Sequence, residues 1–218
     1  MFTEILPMAH PETMEIAIAE LRKGSVVAVP TDTVYGIACL LENEAAIHEL
    51  FRIKEREAAK AIPLLIGEYE QIICATDGIS ESGQKLAKRF WPGALTLIIP
   101  KRLELPQILT PYATVGVRMP AHTWLCQLIR KAGVLATTSA NISGGENPRT
   151  AQDVLRQLDG RIPLIVDGGA CEGGIPSTVV DCSQNEITIL RKGAISEEMI
   201  REALVESSRS RNSSAQNQ

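Results

Sequence analysis

Short β-prone runs alternate with amphipathic helical segments along most of this chain, and several runs follow one another with no helix between them. Parallel neighbours need a long crossover, usually a helix, whereas antiparallel neighbours can be joined by a short turn. The mixture therefore predicts an α/β domain with a twisted, mixed β-sheet and flanking helices, in preference to a fully parallel sheet.

Apolar periodicity and capping residues locate the helices, and short runs rich in β-branched residues locate the strands. Asn43, Thr150 and Ser196 are predicted N-caps, since a side-chain oxygen there can accept an N–H of the first helical turn. The predicted helices span residues 11–21, 43–56, 80–90, 123–132, 150–158 and 196–205. The predicted strands span residues 25–29, 37–41, 62–66, 94–99, 114–118, 134–138, 164–166, 178–181 and 187–190.

Length and composition predict one folded domain followed by a short polar tail. The chain has 218 residues, 44% of them hydrophobic, which is enough to bury a substantial core. Residues 206–218 are mostly Ser, Arg, Asn and Gln, so the domain is predicted over 1–205 and a disordered tail over 206–218. No apolar run approaches the ~20 residues that cross a bilayer, and the N-terminus lacks a signal-peptide layout, so a cytoplasmic protein with no membrane partner is expected.

Charge and cysteine content argue against several classes of protein. The formal net charge of −4 gives no general attraction to nucleic acid, so RNA binding would need a local basic patch. The five cysteines are widely scattered and form no Cys-x-x-Cys pair. This pattern predicts reduced thiols and no metal held by the protein.

Five polar segments lie at predicted strand boundaries, where α/β proteins commonly bind ligands. The third of them places Thr114, Gly116 and Arg118 on one strand face. The basic second segment could hold a polyphosphate, and the hydroxyl- and glycine-rich fourth segment could offer N–H groups to an anion. The segments are residues 30–36, 54–60, 114–120, 137–145, and 177–181 with 191–193.

Each segment also has a purely structural interpretation. Residues 30–36 could be a tight turn, 54–60 a solvated helix end and 137–145 a simple connector. The chain has no Walker loop, Rossmann fingerprint or Ser-His-Asp spacing, and its histidines are expected in capping or solvent-facing positions. Together the segments predict a cavity that positions anions and hydroxyl-bearing small molecules without a covalent nucleophile.

Taken in order, the segments resemble those of the YrdC-like family of threonylcarbamoyl-AMP synthases. The family's patterns Pro-Thr-Asp/Glu-Thr-x-Tyr-Gly, Lys-x-Arg, Thr-x-x-x-Arg-x-Pro, Ser-Ala-Asn-x-Ser-Gly, Ser-Thr-Val-x-Asp and Arg-x-Gly all occur between Pro30 and Gly193. The resemblance implies the single-domain type of this family, with its open-sandwich fold.

The resemblance implies a nucleotidyltransferase that makes L-threonylcarbamoyladenylate and pyrophosphate from L-threonine, bicarbonate and ATP, for threonylcarbamoyladenosine modification of tRNA next to the anticodon. Mg2+ would accompany ATP, tRNA threonylcarbamoyl-transferase proteins would take the product, and weak tRNA binding is a further expectation. Two alternatives stay open: a binding module for double-stranded RNA or tRNA, and a paralogue that makes a different carbamoyl-adenylate.

The resemblance also assigns roles to individual residues. Lys54 and Arg56 are the catalytic candidates, with Lys54 facing bicarbonate or phosphate, and Arg118 meets the carboxylate of threonine. Tyr35 is expected to support the pocket, and Leu65 stands where some members have a threonine-contacting histidine. The L-threonine-binding candidates are Thr33, Arg118, Thr137 and Ser177. The nucleotide-binding candidates are Arg56, Lys60, Thr114, Ser139, Asn141, Asn147 and Arg191.

Overall fold

The computed structural model describes residues 2–55, 57, 60–184 and 186–214, with side chains up to residue 205. In this part of the chain, ten strands form one sheet and six α-helices flank it, none of them long and apolar enough to span a membrane. The strands are β1 (Glu4–Pro7), β2 (Val27–Val29), β3 (Gly36–Leu40), β4 (Leu64–Leu65), β5 (Leu95–Pro100), β6 (Thr114–Arg118), β7 (Leu135–Ser139), β8 (Leu164–Asp167), β9 (Thr178–Asp181) and β10 (Thr188–Arg191). The helices are α1 (Thr13–Arg22), α2 (Glu44–Lys54), α3 (Glu81–Phe90), α4 (Thr123–Ala132), α5 (Ala151–Leu158) and α6 (Glu197–Ser214).

The sheet is mixed, with the strand order β1-β8-β2-β3-β7-β4-β6-β5-β9-β10. Strands joined without a helix, such as β2 and β3 or β9 and β10, pair antiparallel. Parallel pairs form between strands distant in sequence, such as β8 with β1 and β2, or β5 with β9. The predicted α/β class, with a mixed sheet and flanking helices, is confirmed.

Alternation along the strands divides the buried side chains between two hydrophobic cores. In β2, Val27 and Val29 belong to one core, whereas Ala28 belongs to the other. Helices α1 and α4 contribute to the first core, and α2, α3, α5 and α6 contribute to the second. Because successive strand side chains point to opposite faces, the two cores lie on opposite faces of the sheet.

The predicted N-caps are confirmed at three helices. Asn43 Oδ1 accepts a hydrogen bond from the N–H three residues later at 2.9 Å, and Ser196 Oγ does the same at 3.2 Å. At α5 the exchange is reciprocal: Thr150 Oγ1 accepts from Asp153 N at 3.1 Å, and Asp153 Oδ2 accepts from Thr150 N at 2.9 Å. These contacts satisfy N–H groups that the first helical turn leaves without partners.

Replacing Thr150 by alanine should lower the free energy of unfolding by about 1 kcal/mol, because the first turn of α5 loses its hydroxyl acceptor. Thr150→Ser keeps the hydroxyl and should retain most of the stability. Urea denaturation of the two variants and the wild type measures the difference. Equal stability of Thr150→Ala and wild type would contradict a stabilising cap.

The two ends of the chain differ from the sequence-based expectation. The sequence pattern does not indicate β1, which pairs with β8 in the register Glu4 to Leu164. At the other end, α6 continues to Ser214, whereas the predicted helix ends at 205, because residues 206–214 contain neither proline nor glycine to stop it. Residues 215–218 of the predicted tail lie outside the described residues.

Candidate functional site

A cavity of about 320 Å³ opens on the sheet where four of the five polar segments meet, and the described residues of the remaining segment, 54–60, are not in its lining. The turn between β2 and β3, strands β5, β6, β7 and β9, and the loop before α5 contribute to its wall. Its volume lies at the lower end of the range for small-ligand sites. The predicted site residues that line it are Thr33, Arg118, Thr137, Ser139, Asn147, Ser177 and Arg191.

The turn between β2 and β3 is organised by the hydroxyl of Thr31. Its Oγ1 accepts hydrogen bonds from the backbone N–H groups of Thr33 and Val34, at 3.0 and 3.3 Å. Thr31 therefore has the structural role that the tight-turn interpretation gives to this segment. The hydroxyl of Thr33 accepts a hydrogen bond from Arg118 and lies 3.0 Å from that of Thr31, so the hydroxyl that organises the turn also supports the one that contacts Arg118.

Arg118, at the end of β6, is only 7% exposed, and each of its three guanidinium nitrogens donates a hydrogen bond. Nε donates to Gly93 O at 3.0 Å, Nη1 to Thr33 Oγ1 at 2.9 Å, and Nη2 to Asp32 Oδ1. Burial lowers the pKa of Arg118, and the negative charge of Asp32 opposes that shift. Within the described residues, one N–H on each terminal nitrogen has no partner, which leaves a fork for a carboxylate or phosphate.

The hydroxyl of Thr137 is a buried polar group beside the cavity. Its Oγ1 has no hydrogen-bond partner in the described part of the chain, and the side chain lines the cavity. An unsatisfied buried group of this kind costs about 1–3 kcal/mol. Because the oxygen itself is buried, rotation of the Thr137 side chain would be needed to bring it to a ligand in the cavity.

Arg191 brings a second guanidinium group to the rim of the same cavity. Its Nε and Nη2 donate to Ser177 O at 3.1 and 2.9 Å, and Nη2 also donates to Ser177 Oγ at 3.1 Å. The side chain is exposed overall, but partial burial of the guanidinium against Ser177 lowers the pKa of Arg191. Its positive charge also lowers the pKa of Arg118. Because two like charges act on one cavity, an anionic ligand is favoured there.

Lys54 lies beneath the loop that follows β7, and it is not among the described residues that line the cavity. Its Nζ donates to Ser139 O at 2.5 Å, to Asn141 O at 2.7 Å and to Asn141 Oδ1 at 3.1 Å. Asn141 Nδ2 in turn donates to Gly145 O at 2.7 Å. The side chains of Lys54 and Asn141 thus hold the loop that presents Ser139. Their assigned contacts with bicarbonate, phosphate or nucleotide stay predictions.

Three other assigned residues lie apart from the described lining. Thr114 is half-buried at the start of β6, two residues before Gly116 of the lining. The Nζ of Lys60 lies 3.6 Å from Glu57 Oε2 in an exposed pair, which agrees with the solvated helix-end interpretation. Arg56, assigned to catalysis and to the nucleotide, lies outside the described residues. The nucleotide contacts of all three stay predictions.

Tyr35 anchors the glycine-rich segment that precedes Ser177. Its hydroxyl donates to Gly169 O at 2.8 Å and accepts from Gly168 N at 3.1 Å. Burial raises the pKa of Tyr35 well above its ordinary value, so the phenol stays protonated and keeps this donor. The geometry fits the supporting role expected for this residue.

The sequence gives no individual role to Asp32, and in the apolar part of the wall it singles out only Leu65. Asp32 could be recognised only as a carboxylate in a turn, because its partner Arg118 is distant in sequence. A Cβ on Gly116 would lie 3.1 Å from Pro63 Cβ and 3.2 Å from Ile98 Cδ1, so glycine keeps the floor open at this point. The apolar residues of the described lining are Val34, Ala61, Pro63, Leu65, Ile98, Pro176 and Val179.

The histidine and cysteine residues are not among the described residues that line the cavity. His122 Nδ1 accepts from Leu125 N at 3.2 Å and caps α4, and His48 is exposed, which confirms the expected positions of both. The five cysteines are free thiols. Among the described residues, no group of three or more His, Cys, Asp or Glu side chains is placed to hold a metal ion.

The sequence of this chain is similar to those of one group of known proteins. A family model named Sua5_yciO_yrdC, described as telomere recombination, matches residues 19–193. Threonylcarbamoyl-AMP synthase of Bacillus subtilis (strain 168) is 39% identical over 201 residues, 91% of this chain and 58% of that relative. The protein of the same name from Pyrococcus abyssi is 38% identical over 195 residues, 88% of this chain and 57% of that relative.

Solved structures show the same similarity. A crystal structure of P. abyssi Sua5 complexed with L-threonine has a TM-score of 0.88 at 36% identity, and the match covers 93% of this chain and 61% of that one. The chain therefore spans about three fifths of the length of these relatives.

Proposed function

Because this chain belongs to the Sua5/YciO/YrdC family, we propose that it joins L-threonine, bicarbonate and ATP into L-threonylcarbamoyladenylate and releases pyrophosphate. The names of the relatives and the threonine bound in the P. abyssi structure suggest these substrates. The observation that carries the proposal is the presence of two guanidinium groups, Arg118 and Arg191, on one cavity. The reaction must bring two anions together, and these groups offset their repulsion.

In the proposed reaction, the amine of threonine bonds to the carbon of bicarbonate, a C–O bond of bicarbonate breaks with release of water, and a carbamate results. A carbamate oxygen then attacks the α-phosphorus of ATP while the bond to pyrophosphate breaks. The described lining contains no His, Cys, Asp or Glu that could act as a base or covalent nucleophile. Proximity and charge stabilisation by the chain's own groups are therefore the proposed sources of catalysis.

The proposed division of the cavity follows from its contacts. Arg118 holds the carboxylate of threonine with its two remaining N–H groups, and the unpartnered hydroxyl of Thr137 lies on the same wall. Ser139, Asn147 and Arg191 contribute the nucleotide side. With no carboxylate in the described lining, magnesium enters as part of the Mg-ATP substrate. The adenylate then passes to tRNA threonylcarbamoyl-transferase proteins in the cytoplasm.

The proposal is tested by incubating the purified protein with Mg-ATP, bicarbonate and L-threonine and omitting each substrate in turn. Pyrophosphate and the adenylate product are measured by chromatography. Omitting threonine should reduce pyrophosphate release to the background of a protein-free sample, since the carbamate cannot form. Release that does not depend on threonine would exclude the proposal and favour a different carbamoyl-adenylate.

A further inference from the structure

We propose that Asp32 is a positioning residue for amino-acid binding, because its carboxylate fixes the guanidinium of Arg118 with two N–H groups free to meet the substrate carboxylate. The inference deepens the proposed function and rests on it. Asp32 is not among the described residues that line the cavity, so its effect is transmitted through Arg118.

Two segments of the chain, both distant in sequence from Arg118, hold its guanidinium group. Gly93 lies ahead of β5, Thr33 and Asp32 lie in the turn after β2, and Arg118 ends β6. Each of the three nitrogens uses one N–H for these partners. A planar group held at all three nitrogens cannot rotate without breaking a bond. Its orientation, and that of the remaining fork, is therefore set before a ligand arrives.

Asp32 is the charged member among these three partners. The side chains of Arg118 and Asp32 are 8% and 15% exposed, so both charges are largely removed from water and each compensates the other. Without the carboxylate, the guanidinium would be a nearly buried cation that also feels the positive charge of Arg191. Movement of Arg118 away from its present position would then be favoured, and the fork would be lost.

The opposite role is competition, in which the carboxylate of Asp32 occupies the place of the substrate carboxylate. The contacts argue against it, because Asp32 takes a single N–H of Nη2 and leaves one N–H on each terminal nitrogen within the described residues. The two roles predict opposite effects. Removal of a competitor tightens threonine binding, whereas removal of a positioning group weakens it.

The test compares Asp32→Ala, Asp32→Asn and Asp32→Glu with the wild type, by calorimetric titration with L-threonine and by steady-state pyrophosphate release. Asp32→Ala should raise the KM for threonine roughly tenfold, the effect of about one charge-assisted hydrogen bond, while kcat and the KM for ATP change less than about twofold. Asp32→Asn, whose amide oxygen can still accept, should show a smaller increase, and Asp32→Glu should restore part of the affinity. Asp77→Asn removes the same charge from an exposed pair with Arg102 and should leave every parameter unchanged.

A lower or unchanged threonine KM in folded Asp32→Ala would overturn the inference. Parallel losses of threonine and ATP affinity with a lower melting temperature would also overturn it, because they indicate a general structural role. If Asp32→Ala fails to fold, the nearly isosteric Asp32→Asn provides the test. Its KM for threonine should rise while its KM for ATP stays close to the wild-type value. Failure of the proposed function is separate, since it appears in the wild type as the absence of threonine-dependent pyrophosphate.

Discussion

Arg118→Ala is expected to raise the KM for L-threonine about 100-fold. The variant loses two charge-assisted hydrogen bonds to the substrate carboxylate, together worth about 3 kcal/mol. The KM for ATP should change far less, because the other guanidinium group of the cavity is retained. Steady-state pyrophosphate release at varied threonine and saturating Mg-ATP measures the effect. An unchanged KM for threonine in the folded variant would rule out a carboxylate clamp at this position.

Arg118→Ala also leaves the carboxylate of Asp32 buried without its cation, which costs about 3–5 kcal/mol of stability. The double variant Arg118→Met with Asp32→Asn removes both charges and should recover most of the lost stability without recovering threonine binding. Arg102→Ala is the matched control, because Arg102 pairs with carboxylates on the surface. Threonine affinity that returned with stability in the double variant would show that Arg118 serves the fold and not the substrate.

Individual helices and strands were predictable from the sequence, because the capping residues and apolar patterns that mark them span only a few residues. Asn43 and Thr150 precede apolar stripes and cap helices as predicted. The strand order was not predictable, since it depends on contacts between distant segments, such as Glu4 with Leu164 in β1 and β8. A four-residue edge strand without alternating polarity carries no signal of its own, so β1 is visible only once β8 lies beside it.

In the candidate site too, some features follow from neighbouring residues, whereas others depend on segments that are distant in sequence. The resemblance to the YrdC-like family is confirmed, and Thr33, Thr137 and Ser177 share one cavity. What the sequence could not separate is the role of neighbouring residues in one motif. Thr31 holds the turn while Thr33 contacts Arg118, and the difference arises from folding the turn against a strand distant in sequence.

Lys54 illustrates how a basic residue in a ligand-binding motif can act through protein contacts. Lys54 is 1% exposed, and its ammonium donates hydrogen bonds to backbone and side-chain oxygen atoms of Ser139 and Asn141. A buried charge is stable only when such partners surround it. The same contacts fix the end of β7, where Ser139 lies in the cavity wall, and the loop that follows it. The fold of this loop and the geometry of the nucleotide side should therefore depend on the same side chain.

Lys54→Met keeps the aliphatic length but removes the charge and its donors. The variant should be less stable by about 3 kcal/mol, since buried carbonyl oxygens lose their partner, which corresponds to a melting temperature roughly 6–12 °C lower. At a temperature where it stays folded, kcat should fall about 100-fold, because a shift of ~1 Å in a positioning group can cost that much. Lys131→Met, at an exposed pair with Glu15, should change neither value. Wild-type turnover in Lys54→Met would show that the loop keeps its geometry without the ammonium.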